Sequence, residues 1–148
     1  MAAGQRGKAE ELRQLHSAAE LLVLVNVWDV ASARVVAGAP GCRAIATASW
    51  SIAAALGFRD GEQLARDDML AAVGRIAAAV DQPVTADLEA GFGASPAEVA
   101  QTIAAAIEAG AVGCNLEDGV EDREAPLSRL PPVRLCLATA RGRAGRRR

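Results

Sequence analysis

Apolar positions along this chain follow two alternating patterns, and their succession predicts the architecture. Short apolar-rich runs at residues 21–25, 44–48, 84–87 and 112–116 have the length of strands, and the first, nearly all apolar, has the composition of one buried on both faces. Longer stretches of helical period lie between them. Met69, Val73, Ile76 and Val80 recur at spacings of four, three and four, the stripe of a helix laid on a sheet, and Asp67 is placed to cap that helix. Ser95-Pro96-Ala97-Glu98 is a stronger start signal: an N-cap serine, proline at the first helical position, and a glutamate to close a capping box. Val99, Ile103 and Ile107 are the expected buried stripe of this helix, and Gly110 ends it. An amphipathic helix is expected over residues 8–19, a short one over 32–39, and a long loop over 49–62. Regular alternation of strand and helix is the pattern of a parallel α/β sheet.

Two of the expected strands end in acid. In Val84-Thr85-Ala86-Asp87-Leu88-Glu89-Ala90-Gly91-Phe92-Gly93 an apolar run stops at two carboxylates one residue apart, and period-two alternation puts Asp87 and Glu89 on the same side of the strand end. The pattern recurs in Val112-Gly113-Cys114-Asn115-Leu116-Glu117-Asp118-Gly119. Three carboxylates at the carboxyl ends of parallel strands would converge on one spot, which attracts a hard cation such as Mg²⁺. Gathering like charges near an apolar interior costs free energy unless a cation or proton compensates. Asp118 and Asp122, by contrast, read as solvated or capping acids.

These two acidic segments follow Asn26-Val27-Trp28-Asp29, Ala31-Ser32-Ala33-Arg34, Ala44-Ile45-Ala46-Thr47 and Leu56-Gly57-Phe58-Arg59-Asp60-Gly61-Glu62. In that order and spacing, from about residue 20 to residue 119, the chain resembles the isocitrate lyase and phosphoenolpyruvate mutase superfamily. The resemblance implies a TIM barrel, which needs roughly 250 residues. The 148 residues of this chain should therefore hold about the first four β/α units, a partial barrel over residues 1–122 followed by a tail outside the family pattern. It further implies that Asp87 is a direct Mg²⁺ ligand, with Mn²⁺ as a substitute, and that Glu89 and Glu117 hold the ion's water shell. Asp60 matches an aspartate facing substrate and metal, and with Glu117 is the implied catalytic pair. Thr47, Ala48, Ser49 and Trp50 fall in the implied carboxylate-binding substrate loop, where Ala48 and Trp50 depart from the usual residues.

The implied activity is that of a Mg²⁺-dependent lyase, or mutase, acting on small 2-oxo or 2-hydroxy carboxylates through an enolate. The Lys-Arg-Cys-Ser loop of the true isocitrate lyases is missing. The alternative is an inactive, truncated half-barrel that only self-associates. Four parallel strands cannot close a ring, so the first and fourth would leave edges that a second copy could pair with, burying interior faces that carry Val25, Thr85 and Asn115. A homo-oligomer is expected on that ground, beside a small carboxylate as the substrate partner.

Composition and charge narrow the remaining classes. Hydrophobic residues make up 51% of the chain, yet no apolar run approaches the roughly 20 residues of a membrane span. The start carries Arg6, Lys8, Glu10, Glu11 and Arg13 where a secretory signal would be apolar, so a cytoplasmic chain without a membrane partner is expected. Cys42, Cys114 and Cys136 have no metal-ligand spacing and read as reduced thiols, with Cys114 facing the helix layer. His16, the only histidine, lies far in sequence from the acids and reads as a surface or packing residue.

Residues 1–122 carry 8 basic and 17 acidic side chains, whereas residues 123–148 carry 8 basic and 1 acidic. That tail contains Pro126, Pro131 and Pro132 and ends in Arg146-Arg147-Arg148. Its composition is what GC-rich codons yield out of frame, and a disordered or out-of-frame segment fits better than an arm that binds nucleic acid. Gly91-Phe92-Gly93 lacks the third glycine and ribose acid of a dinucleotide fingerprint. Asn26 and Asp29 are placed to orient the substrate loop, and Trp28 to pack at the barrel rim.

Overall fold

A computed structural model describes residues 3–117. Asp118, Asp122, Cys136 and the basic tail, with the expectations attached to them, lie outside the described residues. Helix α1 (Ala3–Ser17) leads into β1 (Val25–Val27), α2 (Val30–Ala37), β2 (Ile45–Thr47), α3 (Ser49–Ala55), α4 (Arg66–Ala79), β3 (Val84–Asp87), α5 (Pro96–Ala109) and β4 (Gly113–Asn115). The strands form one four-stranded parallel sheet in the order β1-β2-β3-β4. Sequential parallel neighbours joined by crossover helices are the opening half of a (β/α) barrel, as the sequence pattern predicts.

Register decides which side chains meet. Val25 pairs with Ile45 and Ile45 with Val84, while Ala46 pairs with Thr85 and Thr85 with Gly113. Paired residues share a face. Val27, Ile45 and Val84 pack with Ile52, Leu64, Met69 and Ile76 into one cluster under the helices. Ala86, Leu88 and Cys114 join Leu70, Val73 and Ala106 in a second. Cys114 therefore faces the helix layer as expected. The sequence predicts Val25 on the interior; by register it belongs to the helix side, and Asn26 takes the interior side in its place. The reason is a shift of the first strand: its ladder forms at Val25–Val27, later than residues 21–25, because β2 offers no partner before Ile45.

The stretch before β1 packs differently. Leu22 and Leu24 lie against Leu12, Ala44 and Val112, while Leu21 and Val23 point outward. Leu12, fully buried on α1, also fits against Gly113, where an added Cβ would stand 2.9 Å from Leu12 Cδ2. Gln5 Nε2 donates to the carbonyls of Ile107 and Ala111, and Lys8 Nζ to that of Val80. These contacts seat α1 across the amino ends of the strands.

The helices follow their sequence signals with three corrections. Ser95 caps α5 with Glu98 in a reciprocal box, Pro96 starts it, and Gly110 ends it at φ 110. Its fully buried positions are Thr102 and Ala106, however, with Val99, Ile103 and Ile107 only half-buried. The stripe is rotated because α4 and α5 meet through small residues, Gly74 against Ala109 and Gly110 against Ala77. Helix α4 starts at Arg66 with Ala65 as an N-cap that makes no side-chain bond; Asp67 lies in its first turn and pairs with Arg66 at 3.1 Å instead of capping. There it still meets the positive end of the helix dipole.

The third correction concerns residues 49–62, where Ser49–Ala55 is a helix and not a loop. Its alanine-rich sequence supplies the propensity, but Ala48 offers no capping oxygen that would have signalled the start. No helix among the described residues is long and apolar enough to cross a membrane.

Candidate functional site

The carboxyl ends of β2, β3 and β4 gather a polar cluster around Asp87, the last residue of β3. Its Oδ2 accepts from both the backbone N–H (2.9 Å) and the hydroxyl (2.8 Å) of Ser49, the first residue of α3. Its Oδ1 accepts from Asn115 Nδ2 at 2.8 Å and more weakly from the Glu89 N–H at 3.4 Å. Its own N–H donates to Thr47 Oγ1 at 2.9 Å. Asn115 stands directly beside Asp87 in the ladder, so parallel register delivers this contact.

Thr47 and Ser49, buried at 2% and 4% exposure, are thus committed to Asp87. The expected substrate segment splits accordingly: Thr47 ends a strand, Ala48 is half-buried, and Trp50 on the exposed side of α3 remains 62% accessible.

Glu89 reaches the same rim by a different route than strand alternation predicts. The strand ends at Asp87, and Glu89 adopts φ 50, in the left-handed region that a side chain disfavours. The residue as a whole is 6% exposed. Oε2 accepts the Glu62 N–H at 2.6 Å, and Oε1 is buried with no partner among the described residues. Burial raises the Glu89 pKa above the ordinary glutamate value, and the charges of Asp60 and Glu62 push the same way against the Glu62 and Gly61 amides. Glu117 is exposed, and its N–H donates to the Glu89 carbonyl at 2.7 Å. Its pKa is raised too, by desolvation first and then by Asp87 and Asp60.

Asp60, on the exposed turn before Gly61, is therefore close enough to act electrostatically on both glutamates. The four acids share one rim, but they do not converge as the sequence suggested. No group of three or more His, Cys, Asp or Glu side chains among the described residues is arranged to hold a metal by itself. The reason is that Asp87 is turned into hydrogen bonds from β4 and α3 while Glu89 is turned toward Glu62.

Residues at the edge of this cluster take parts of their own. Asp29 accepts from the Ser32 N–H (2.7 Å) and hydroxyl as the N-cap of α2, which holds its carboxyl below the usual range. Trp28 is 44% exposed and borders a groove of about 390 Å³ with Ile52, Leu56 and Ala72 rather than packing closed at the rim. His16 sits half-buried on α1 with Nδ1 2.8 Å from the Leu12 carbonyl, a packing position as the sequence predicts. Asn115 and Glu62 stand in the two acidic and glycine-rich segments of the sequence, and their roles follow from register and from the meeting of two loops, which no local pattern signals.

This arrangement sits on a fold with known relatives. The family model for phosphoenolpyruvate phosphomutase matches residues 12–147. The chain belongs to that family. The match runs past residues 119–122, so the family model marks no boundary where composition changes. A protein from Burkholderia cenocepacia J2315 assigned as a phosphonomutase is 51% identical with a TM-score of 0.75, the alignment covering 80% of this chain and 46% of that one. Oxaloacetate acetylhydrolase, solved with its product oxalate, is 31% identical with a TM-score of 0.68, over 76% of this chain and 40% of that one. 2,3-Dimethylmalate lyase, of the PEP mutase/isocitrate lyase superfamily, is 25% identical with a TM-score of 0.66, over 80% and 41%. No curated protein matches. The chain thus spans less than half the length of these solved structures, and over that span it shares their α/β fold, as a partial TIM barrel.

Proposed function

We propose that this phosphoenolpyruvate phosphomutase family chain carries the cation-binding half of a Mg²⁺-dependent lyase or mutase acting on small 2-oxo or 2-hydroxy carboxylates. The observation that carries this reading is the unequal satisfaction of two neighbouring carboxylates. Ser49 fills both lone-pair directions of Asp87 Oδ2, but Oδ1 has one short bond and one long one, and Glu89 Oε1 has none. A buried carboxylate oxygen with no hydrogen-bond partner among the described residues, beside a second carboxylate whose Oδ1 holds one short and one long bond, fits a hard divalent cation. Mg²⁺ keeps several waters and takes one or two protein carboxylates, so the rim suits it without a closed cage of three acids.

Asp87 would be the direct ligand, Glu89 and Glu117 would hold coordinated water, and Mn²⁺ could substitute. Bound there, the ion would supply a Lewis acid to the oxygens on which enolate charge builds. Ser49 and Asn115 keep the Asp87 carboxylate from rotating, and Thr47 holds its backbone N–H. Asp60 and Glu117 would be the groups facing substrate. The relatives' names point the same way, to oxaloacetate and a substituted malate, each a carboxylate with oxygen on the adjacent carbon. Cleavage of a C–C bond is the preferred reaction.

Calorimetric Mg²⁺ titration of the wild type and of Asp87→Ala tests the site. The variant should bind at least about tenfold more weakly, equivalent to the ~1.4 kcal/mol expected of one charged ligand contact. Equal affinity in both would remove Asp87 from the site and the reading with it.

A second reading, self-association with or without turnover, is favoured by a different observation. Leu21, Val23 and Val25 are 85%, 66% and 47% exposed in alternation along β1 and its lead-in, at an outer strand of the sheet. An extended apolar edge of this kind is a template for pairing with another strand, and a second copy supplies one.

A further inference from the structure

Three residues other than glycine adopt positive φ among the described residues: Glu62 (57), Glu89 (50) and Phe92 (52). All three belong to two loops that touch, the one before α4 and the one after β3. Left-handed backbone at a residue with a side chain persists only where its surroundings hold it. Here the holding groups are visible. The Glu62 N–H donates to Glu89 Oε2 at 2.6 Å, and the Glu62 carboxylate in return accepts the Phe92 N–H through Oε1 at 2.6 Å.

Glu62 thus bridges both ends of the turn 89–92. The turn is fixed from outside as well: Leu88 is fully buried, Phe92 packs on the core that contains Leu64, and a Cβ at Gly91 would stand 2.8 Å from Val99. The consequence falls on Glu89. One of its oxygens is tied to Glu62, while the other is buried and without a partner.

We propose that Glu62 is a positioning residue of the cation site, locking the turn 89–92 so that the unpartnered Glu89 Oε1 is presented to a divalent ion. This rests on the metal reading of the site given above. Glu62 does not touch the ion. It acts through Glu89, by its N–H on one carboxylate oxygen and by its carboxylate on the backbone that carries that residue. The pairing also explains why an acid stands where it adds repulsion to Glu89: a carboxylate is the strong acceptor for the Phe92 amide.

The test is Mn²⁺ binding to the full chain, followed by electron paramagnetic resonance and by calorimetry, in wild type, Glu62→Ala, Glu62→Gln and Asp87→Ala. Glu62→Ala should weaken Mn²⁺ about tenfold with little change in urea midpoint. Glu62→Gln keeps an amide oxygen for the Phe92 N–H and should restore most of the affinity, although it removes the same negative charge. Hydrogen exchange at the Phe92 amide should accelerate in Glu62→Ala and remain slow in Glu62→Gln. If Asp87→Ala loses binding but Glu62→Ala binds like wild type, the positioning role is wrong and the site stands. If Glu62→Gln is as weak as Glu62→Ala, the residue acts by charge alone and the proposal fails. Unchanged binding in Asp87→Ala would instead overturn the metal reading.

Discussion

Replacing Glu89 by glutamine should stabilise the metal-free protein at neutral pH. Glu89 is 6% exposed, its Oε1 has no partner among the described residues, and Asp60 and Glu62 add negative charge nearby. A buried polar group left unsatisfied costs about 1–3 kcal/mol, and a charged one more. Glutamine has the same shape and keeps an acceptor for the Glu62 N–H. It gives up the charge-assisted part of that bond, on the order of 1 kcal/mol, and leaves one neutral donor unpaired in place of a charged oxygen. The raised pKa gives the sign of the balance: burial and repulsion outweigh the amide bonds, so the neutral form is the better guest.

The net gain is about 1 kcal/mol, or a melting temperature higher by roughly 3 °C for a chain of this size. Its pH dependence follows from linkage. The carboxyl is raised above 4.5 in the folded state, so wild-type stability is complete below that value and falls as pH climbs to the folded pKa. Urea denaturation in EDTA should therefore give curves for wild type and Glu89→Gln that coincide near pH 4 and separate at pH 7.5. Excess Mg²⁺ should reverse the order, since a ligand at a hundred times its Kd adds about 2.7 kcal/mol to the protein that binds it. A variant no more stable than wild type at pH 7.5 without metal would refute the argument that Glu89 is held there against its own solvation.

Gly113→Ala should destabilise by about 1–2 kcal/mol, the overpacking penalty less the entropy gained by replacing glycine, because the new Cβ meets Leu12 Cδ2 at 2.9 Å and Thr85 Oγ1 at 3.0 Å. Urea denaturation reads this, and a neutral or stabilised variant would mean that α1 is not seated against β4. Sedimentation equilibrium at micromolar concentration should show a dimer or larger species, and Val23→Lys should shift it toward monomer by placing a charge on the exposed edge. A monomer throughout the range would exclude pairing through β1.

What the sequence disclosed depended on how local the signal was. Strand β3 begins and ends where expected because Pro83 opens it and Asp87 closes it, and the start of α5 is written in four consecutive residues. Helix α3 escaped notice because its start lacks a side-chain cap and its seven residues are too few for a period to emerge. The acids were legible as a set, but their geometry was not. Strand alternation carries a side chain to a face only while the backbone stays extended, and Glu89 leaves that conformation one residue after Leu88. Asn115 lies 28 positions from Asp87; no local pattern reports a register between strands so far apart.

The division between the two neighbouring carboxylates follows from which elements surround each. Asp87 ends a central strand, so it has β2 and α3 on one side and β4 on the other, and each supplies a donor or an acceptor that a parallel ladder brings to the same level. Such a group is fixed by the sheet itself: a shift of either neighbour by one residue would turn Thr47 or Asn115 to the opposite face and remove the contact. Glu89 lies beyond the ladder, where no strand can fix it, and its position is set instead by one amide from a loop that Leu64 anchors in the core. The more rigid carboxylate is nearly saturated with hydrogen bonds, and the less saturated one depends on loop contacts. Cation affinity in this protein should therefore be more sensitive to substitutions in residues 57–63 than to conservative changes in the sheet, provided that register is kept.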